Sequence, residues 1–248
     1  MDQQRLTGDV VAVSDLGGRD VEAMFAVYAR LYERVSERDF RRDLDEKQWV
    51  LLLRGGPGGP IRGFTTIMLL ETRVRGESLR VVFSGDTGID PAYWGGQALV
   101  KAWARFMGEL LARDRERRLY WFLISKGYRT YLYLPLFFHE FFPRVDTGTP
   151  PFERELIATL GALKYPRDFD PATGVIAFPE SHGNLRPALA DTPDHRRAHP
   201  HVRFFLDANP GYARGHELVC VAEISPDNMR GLPRRMLLEG AGALEAAS

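Results

Sequence analysis

One stretch of the sequence predicts a strand, a glycine-bearing loop and a long helix, in that order: Leu79-Arg-Val-Val-Phe-Ser-Gly-Asp-Thr-Gly-Ile-Asp90, then Pro91-Ala-Tyr-Trp-Gly-Gly-Gln-Ala98, then residues 99–118. Residues 79–83 are apolar and rich in valine, which is typical of a buried strand. Asp90 fits a helix N-cap and Pro91 a first helical residue. Further on, apolar side chains recur at helical spacing, on one face of a predicted helix: Leu99, Trp103, Phe106, Met107, Leu110 and Leu111.

The helix that follows the paired glycines presents backbone N–H groups and a positive dipole end. Both features suit an anion such as a pyrophosphate, because the first N–H groups of a helix have no partner within it. Small residues beside a helix start let a ligand approach the backbone. The simpler alternative is that the paired glycines serve only a turn.

The composition excludes several classes of partner. Lys plus Arg number 33 and Asp plus Glu number 33, so no overall field favours nucleic acid or an anionic membrane surface. No run approaches the ~20 apolar residues of a membrane span, and the start, Met1-Asp-Gln-Gln-Arg5, has no hydrophobic leader. We therefore expect a cytoplasmic protein with no membrane span. The single cysteine, Cys220, lies in an apolar run and is typical of a core thiol.

The order of predicted elements indicates an α+β fold. Residues 1–144 predict a strand, two helices, three strands joined by tight turns, the long helix, a further strand (119–125) and a short helix. We expect a mixed, mainly antiparallel central sheet flanked by helices. Residues 145–248 predict a loop-rich extension packed on the same domain, with a helix at 151–163 and a hairpin that pairs 202–206 with 217–224.

This order, with the glycine loop between the fourth strand and the third helix, resembles the GNAT superfamily of N-acyltransferases. The family's loop pattern is Arg/Gln-x-x-Gly-x-Gly/Ala, and Gly96 and Ala98 fit its two small positions, whereas Tyr93 stands at the leading position. The resemblance implies that acyl-CoA or acetyl-CoA binds here, through its pyrophosphate, to Tyr93, Trp94, Gly95, Gly96, Gln97 and Ala98. Because Tyr93 departs from the pattern, an acyl carrier protein is an alternative donor.

The resemblance also implies a tyrosine that protonates the departing thiolate. Tyr133, seven residues after Lys126, is the closest match, with Tyr131 and Tyr128 as rivals, and Lys126 replaces the family's usual Asn. A phenol, with a pKa near ~10, is a proton donor at pH 7. The alternative is that these tyrosines only pack, with the hydroxyl at the edge of the core.

A base is also needed, because an ammonium is not nucleophilic. Asp86 is the first candidate, and Ser84 should lie on the same strand face if the pleat is regular. Glu71, on the preceding strand, is the second candidate. Gly85 and Gly88 indicate a bulge or a close approach, and the amides of 83–85 are placed to polarise a thioester carbonyl. The alternative for Asp86 is a turn or capping role.

The aromatic segment Leu136-Phe-Phe-His-Glu-Phe-Phe142, with Trp94, fits either an apolar site or the core. If these aromatic side chains line a binding site, they favour a long acyl chain over acetyl. Within the acyltransferase class, the sequence then resembles the N-acyl amino acid synthases, which accept long acyl chains. His139 beside Glu140 is not a metal site, and the histidines at 195, 199 and 201 have no helix or cysteine pair to support one. We therefore predict no metal.

Two functions follow from the sequence. The first is an N-acyltransferase that moves an acyl group from a thioester to an amine, on a small molecule or a peptide. The second is an inactive scaffold of the same fold that binds a ligand or a partner. A homodimer is left open.

Overall fold

An eight-stranded mixed sheet forms the centre of the fold in the computed structural model, which describes residues 6–178 and 183–247. In spatial order its strands are β1 (Thr7–Ala12), β3 (Trp49–Arg54), β4 (Ile61–Val74), β5 (Glu77–Ile89), β6 (Leu119–Ser125), β10 (Glu217–Glu223), β8 (Val175–Ile176) and β7 (Phe169–Asp170). A separate two-stranded sheet joins β2 (Tyr32–Glu33) to β9 (Asn184–Leu185).

Every pair of neighbours in the large sheet is antiparallel except β5 and β6, which run parallel. The segments 55–60 and 75–76 turn the chain between β3, β4 and β5, in agreement with the predicted three strands joined by tight turns. A parallel neighbour needs a crossover connection, which the long helix α3 (Ala98–Arg113) supplies. The predicted α+β class, with a mainly antiparallel central sheet flanked by helices, is confirmed.

Helices cover both faces of the sheet. The remaining helices are α1 (Gly18–Leu31), α2 (Glu37–Asp45), α4 (Tyr128–Tyr131), α5 (Tyr133–Phe137), α6 (Pro151–Lys164), α7 (Pro187–Ala190), α8 (Asp194–Arg197), α9 (Pro200–Ala208) and α10 (Gly231–Ala247). Side chains alternate along β3, so that Leu51 and Leu53 pack with α3 and α10, whereas Val50 and Leu52 pack with α1 and α2. Helix α6 covers the neighbouring part of the second face.

The predicted face of α3 is the buried one. Trp103, Phe106, Met107 and Leu110 are all less than 5% exposed. Cys220 is buried in β10, where it lies opposite Leu123 of β6, and burial raises the pKa of its thiol.

The predicted hairpin is wrong. Residues 202–206 lie in α9, which Pro200 opens at its first turn, and Val202 and Phe205 are buried at helical spacing. Strand β10 pairs with β6 and β8 instead. A five-residue apolar run fits a strand or one buried helix face equally well, and the tertiary packing decides between them.

Asp90 and Pro91 cap and open a short 3-10 turn at 91–93, with the Ala92 N–H donating to the Asp90 carboxylate at 3.1 Å. The long helix begins later, at Ala98. Residues 1–5, where we predict no leader, and residues 179–182 and 248 of the predicted extension lie outside the described residues. The split at residue 144 stays a prediction. Within the described ranges, no helix combines the length and the apolar character that crossing a bilayer requires.

Helices α3 and α10 touch at two glycines. A Cβ added to Gly108 would lie 2.0 Å from the Leu237 carbonyl oxygen, and one added to Gly240 would lie 2.0 Å from the Arg105 carbonyl oxygen. The two backbones therefore pack without intervening side chains at these points.

Gly108→Ala should lower the free energy of unfolding by about 1–3 kcal/mol, because the methyl group forces the packed helices apart. Gly242→Ala, on the facing helix α10, is the control, since an added Cβ there would meet nothing within 4 Å. It should raise stability by up to about 1 kcal/mol through helix propensity. Urea denaturation measures both, and equal stability of Gly108→Ala and the unaltered protein would contradict the close crossing.

Candidate active site

Strand β5 carries one more residue than its partner β4 at the centre of the sheet. Thr65 faces Thr87 and Ile67 faces Ser84, so two steps along β4 match three steps along β5. This extra residue is a β-bulge, and it reverses which side chains point to each face of the sheet beyond Ser84. Gly85 lies in the bulge, where an added Cβ would lie 2.6 Å from the hydroxyl oxygen of Thr66 on β4.

Strands β5 and β6 diverge beyond the same point. Their parallel pairing runs from Arg80 opposite Leu119 to Ser84 opposite Leu123, after which β5 continues beside β4 as far as Ile89. A gap therefore opens between the two central strands.

The antiparallel register decides which backbone groups of β5 face this gap. The Asp90 N–H donates to the Arg62 carbonyl at 2.8 Å, so this position is hydrogen-bonded to the neighbouring chain. Hydrogen-bonded and non-bonded positions alternate along such a pair, so Thr87 and Ile89 turn their N–H and C=O groups away from β4. These two residues form the free edge of β5.

Two side chains already bond the carbonyls of the free edge. The Tyr32 hydroxyl donates to the Thr87 carbonyl at 3.3 Å, and the Trp94 indole Nε1 donates to the Ile89 carbonyl at 2.8 Å. The N–H groups of Thr87 and Ile89 remain directed into the gap. The free edge thus offers donors to a ligand oxygen.

A cavity of about 450 Å³ occupies the gap, and we call it the apolar cavity. Its size is typical of a small-molecule site. It brings together six of the residues predicted from the sequence: Ser84, Tyr93, Trp94, Gly95, Gly96 and Tyr133.

Aromatic rings form one wall of the apolar cavity. The ring centroids of Trp103 and Trp121 lie 4.7 Å apart, and Phe137 lies 6.4 Å from Trp121 and 5.2 Å from Tyr133. Leu136 also lines the cavity and is 62% exposed. The rest of the predicted aromatic segment, Phe138, Phe141 and Phe142, is buried in the cores.

Ser84 is oriented by this wall. Its Oγ accepts a hydrogen bond from Trp121 Nε1 at 2.9 Å. A hydroxyl that accepts in this way keeps its own proton available for donation.

A second space of about 410 Å³, the loop cavity, lies at the start of α3. Gly96, Gln97, Ala98 and Lys101 line it. The Lys101 N–H is the first to bond within the helix, to the Gln97 carbonyl at 3.0 Å, so the N–H groups of residues 97–100 precede the intrahelical ladder. Backbone donors, the helix dipole and a lysine suit an anionic group here.

Asp86 lies on the opposite face of the sheet from Ser84. Its carboxylate lies near the Tyr28 hydroxyl of α1, and Asp86 does not line either described cavity. The expectation that Ser84 and Asp86 share a strand face is therefore wrong, because the bulge between them adds one residue to the pleat.

The surroundings of Asp86 disfavour its charge. Burial and the nearby Asp43 carboxylate raise the pKa of Asp86 to about 6, against the opposing effects of Lys126, Tyr28 and Lys47. Lys47 is fully buried and bonds Asp43 at 2.7 Å. A carboxyl group with a pKa near 6 is mostly ionised at pH 7 and can accept a proton there.

Of the three candidate tyrosines, Tyr133 and Tyr128 line the apolar cavity. Burial raises the pKa of Tyr133, which keeps its hydroxyl protonated at neutral pH. Tyr131 is fully buried and donates to the Pro143 carbonyl at 2.9 Å, so its hydroxyl has a structural partner.

Glu71 is separated from this group. It faces Arg80 on β5, four residues along β4 from the position opposite Ser84, a distance of about 13 Å along the strand. Its side chain is 66% exposed and pairs with Arg117 at 2.8 Å.

Two residues of the site carried no signal in the sequence. Tyr32, at the start of β2, lines the apolar cavity and reaches the free edge. Lys126, noted only as a departure from the family's Asn, pairs with Glu217 at 3.3 Å and lies 5.5 Å from the Tyr32 ring centre. Within residues 6–178 and 183–247, no group of three or more metal-ligating side chains comes together.

No protein-family model and no curated protein matches this sequence. Among solved structures, the chain is similar to a probable N-acyltransferase of unknown function from Enterococcus faecalis V583, with 17% identity over 54% of this chain and 33% of that chain, and a TM-score of 0.40. It is also similar to a GCN5-related N-acetyltransferase from Kribbella flavida, with 14% identity over 54% of this chain and 33% of that chain, and a TM-score of 0.39. A third similar structure is a GNAT family N-acetyltransferase from Escherichia coli in complex with CoA, with 19% identity over 47% of this chain and 62% of that chain, and a TM-score of 0.32.

The match therefore spans one third to just under two thirds of the length of those three chains.

Asp86→Asn should stabilise the protein at pH 8. A native pKa of about 6 lies above the ordinary value of 3.8, so the folded state binds the proton more tightly, and the free energy of unfolding falls as the pH rises from about 4 to 6. The Asn variant has no carboxyl group to ionise, so its free energy of unfolding does not fall in this way. For the unaltered protein the decrease amounts to up to about 3 kcal/mol above pH 6. Urea denaturation at pH 4 and pH 8 measures the difference, which should nearly vanish at pH 4.

Glu71→Gln is the matched control, because this carboxylate is exposed and its ion pair should contribute less than about 1 kcal/mol. Equal stability of Asp86→Asn and the unaltered protein at pH 8 would show that the Asp86 carboxylate is not destabilised by burial.

Proposed function

We propose that this protein transfers an acyl group from an acyl-CoA thioester to the nitrogen of an amine. The observation that carries the proposal is the gap between β5 and β6, in which a free strand edge, an apolar cavity and the first turn of α3 meet. An acyl-CoA requires all three environments: an apolar one for the acyl chain, a strand edge for the thioester and the amide arm, and a helix start for the diphosphate.

The donor fits the two cavities by chemical type. The N–H groups at the start of α3 and Lys101 suit its phosphates, and the N–H groups of Thr87 and Ile89 suit its carbonyl oxygens. The aromatic wall around Trp121 suits the acyl chain.

Asp86, or a water that it orders, removes a proton from the acceptor ammonium. The neutral nitrogen attacks the thioester carbonyl carbon, so that the C–N bond forms and the C–S bond breaks. Tyr133 gives its proton to the departing sulfur, and the second proton that the nitrogen loses on becoming an amide passes through water to the Tyr133 phenolate. Both side chains return to their starting states by exchange with water.

The acceptor is an amine on a small molecule or a peptide. It approaches from the side of α1, where Tyr28 and Lys47 surround Asp86. An acyl carrier protein is the alternative donor, since its prosthetic arm carries the same thioester chemistry.

A binding protein without turnover is the second candidate. It is favoured by one observation: Asp86 lies on the other face of the sheet from Ser84 and does not line the apolar cavity. Ligand binding without product formation would distinguish this candidate from the transferase.

Asp86→Asn should lower kcat/KM by about 100- to 10,000-fold, as expected for loss of a general base. In the unaltered protein the rate should rise with pH up to about 6, where Asp86 loses its proton, and then level off. Tyr133→Phe should lower kcat more than it changes KM, because its proton is needed only when sulfur departs. Thiol release from acyl-CoA, followed against a panel of amines, measures these rates.

Glu71→Gln and Tyr131→Phe are the controls, because the first residue lies away from the cavities and the hydroxyl of the second bonds a backbone carbonyl. Their rates should stay near that of the unaltered protein. Full activity of Asp86→Asn would exclude Asp86 as the base.

Affinity for acyl-CoA should increase with chain length. Each additional buried methylene contributes about 0.8 kcal/mol, or about fourfold in Kd. Calorimetry with acetyl-, hexanoyl- and dodecanoyl-CoA measures this series, and equal affinities would contradict an acyl site at the aromatic wall.

Leu136→Ala should flatten the series, because this exposed leucine lines the apolar cavity. Leu238→Ala is the matched control, since Leu238 is also exposed but lies on α10, outside the lining of either cavity. It should leave the chain-length dependence unchanged.

A further inference from the structure

The apolar cavity and the loop cavity share a wall. The residues that line both are Ile89, Tyr93, Trp94, Gly95, Gly96 and Leu99. A ligand with its anionic end at the start of α3 and its thioester beside Ser84 must pass this wall.

Trp94 is the largest side chain in the wall and is 39% exposed. One hydrogen bond holds its indole, from Nε1 to the Ile89 carbonyl at 2.8 Å. The Arg129 guanidinium lies 5.5 Å from the centre of the Trp94 ring system. Both are surface contacts, which contribute little net free energy in water.

The backbone next to Trp94 has unusual freedom. Gly95 has a φ of +83°, and a Cβ built there would meet nothing within 4 Å. A glycine in this region and in open space can change its dihedral angles at low cost. The indole can therefore leave the wall without disturbing packed core.

The position of the indole N–H has a chemical meaning. The Ile89 carbonyl belongs to the free edge of β5, where an extended ligand would pair its own N–H groups with the strand. The Trp94 indole N–H already donates a hydrogen bond to that carbonyl, and so occupies the position that an amide N–H of such a ligand would take.

We infer that Trp94 is a specificity-determining residue for the donor. When the donor binds, an amide N–H of its arm replaces the Trp94 indole N–H as the hydrogen-bond donor to the Ile89 carbonyl. The inference rests on the proposed function. A donor that carries an amide arm displaces the indole and joins the two cavities, whereas a nucleotide without the arm binds the loop cavity and leaves Trp94 in place.

The test compares CoA with 3′-phospho-ADP, which has the nucleotide but no amide arm. Tryptophan emission and its quenching by acrylamide report on the indoles, and calorimetry reports binding. CoA should shift the emission and increase quenching of the unaltered protein, and 3′-phospho-ADP should bind without either change. Trp94→Phe should lose the CoA-induced change and bind CoA about two- to tenfold more tightly, because no indole hydrogen bond has to be broken.

Trp49→Phe is the matched control, because Trp49 packs against Phe106 in the core and should leave the CoA-induced change intact. Unchanged emission with CoA bound would overturn the inference and leave the proposed function standing. Weaker binding of CoA to Trp94→Phe would also overturn it, since Trp94 would then be a direct contact of the ligand. If neither CoA nor acyl-CoA binds the unaltered protein, the proposed function itself fails.

Discussion

The extra residue in β5 at Gly85 and Asp86 is the constraint on which the arrangement of the candidate site depends. With a regular pleat, the Asp86 carboxylate would point beside Ser84 toward the aromatic wall. The bulge turns it to the opposite face, where Tyr28 and the charges of α2 surround it. The sheet thus separates the apolar cavity beside Ser84 from the charged surroundings of Asp86, although these two residues are only two positions apart in the sequence.

This separation has an energetic reason. A carboxylate beside the Trp103 and Trp121 rings would lie in a cavity lined mainly by apolar side chains, and burying a charge there is costly. On the other face, Lys47 and Lys126 offset part of the desolvation of Asp86. Lys164 of α6 also bonds Glu46 at the end of α2, so an ion pair connects the two helices that border this region. The charged side of the sheet is therefore a network in which each cation has a nearby carboxylate.

The features that depended on local pattern were predictable from the sequence. The strand, the glycine loop and the buried face of α3 follow from periodicity within about thirty residues, and all three are present in the structure. The helix at 151–163 was predicted for the same reason and spans Pro151–Lys164. The run at 202–206 failed because five apolar residues do not distinguish a strand from a helix face, and only contact with the core decided it.

The site itself was predictable only in part. Gly85 and Gly88 signalled a bulge, but its effect on Asp86 depends on the register with β4, which no local pattern records. Tyr32 lies 55 residues before Thr87, whose carbonyl it bonds, so its role arises from tertiary structure alone. The six loop residues were predicted together because a glycine-rich turn before a helix is a local feature. All six line the loop cavity, and four of them also line the apolar cavity.

The buried thiol of Cys220 has a practical consequence. It is the single cysteine among 248 residues, it is enclosed in a central strand, and burial disfavours its reactive thiolate form. Toward maleimide reagents the folded chain therefore behaves as if it were free of cysteine. A thiol introduced at the surface can be labelled selectively without removing the native one. Modification of Cys220 itself then marks the moment when β10 separates from the sheet.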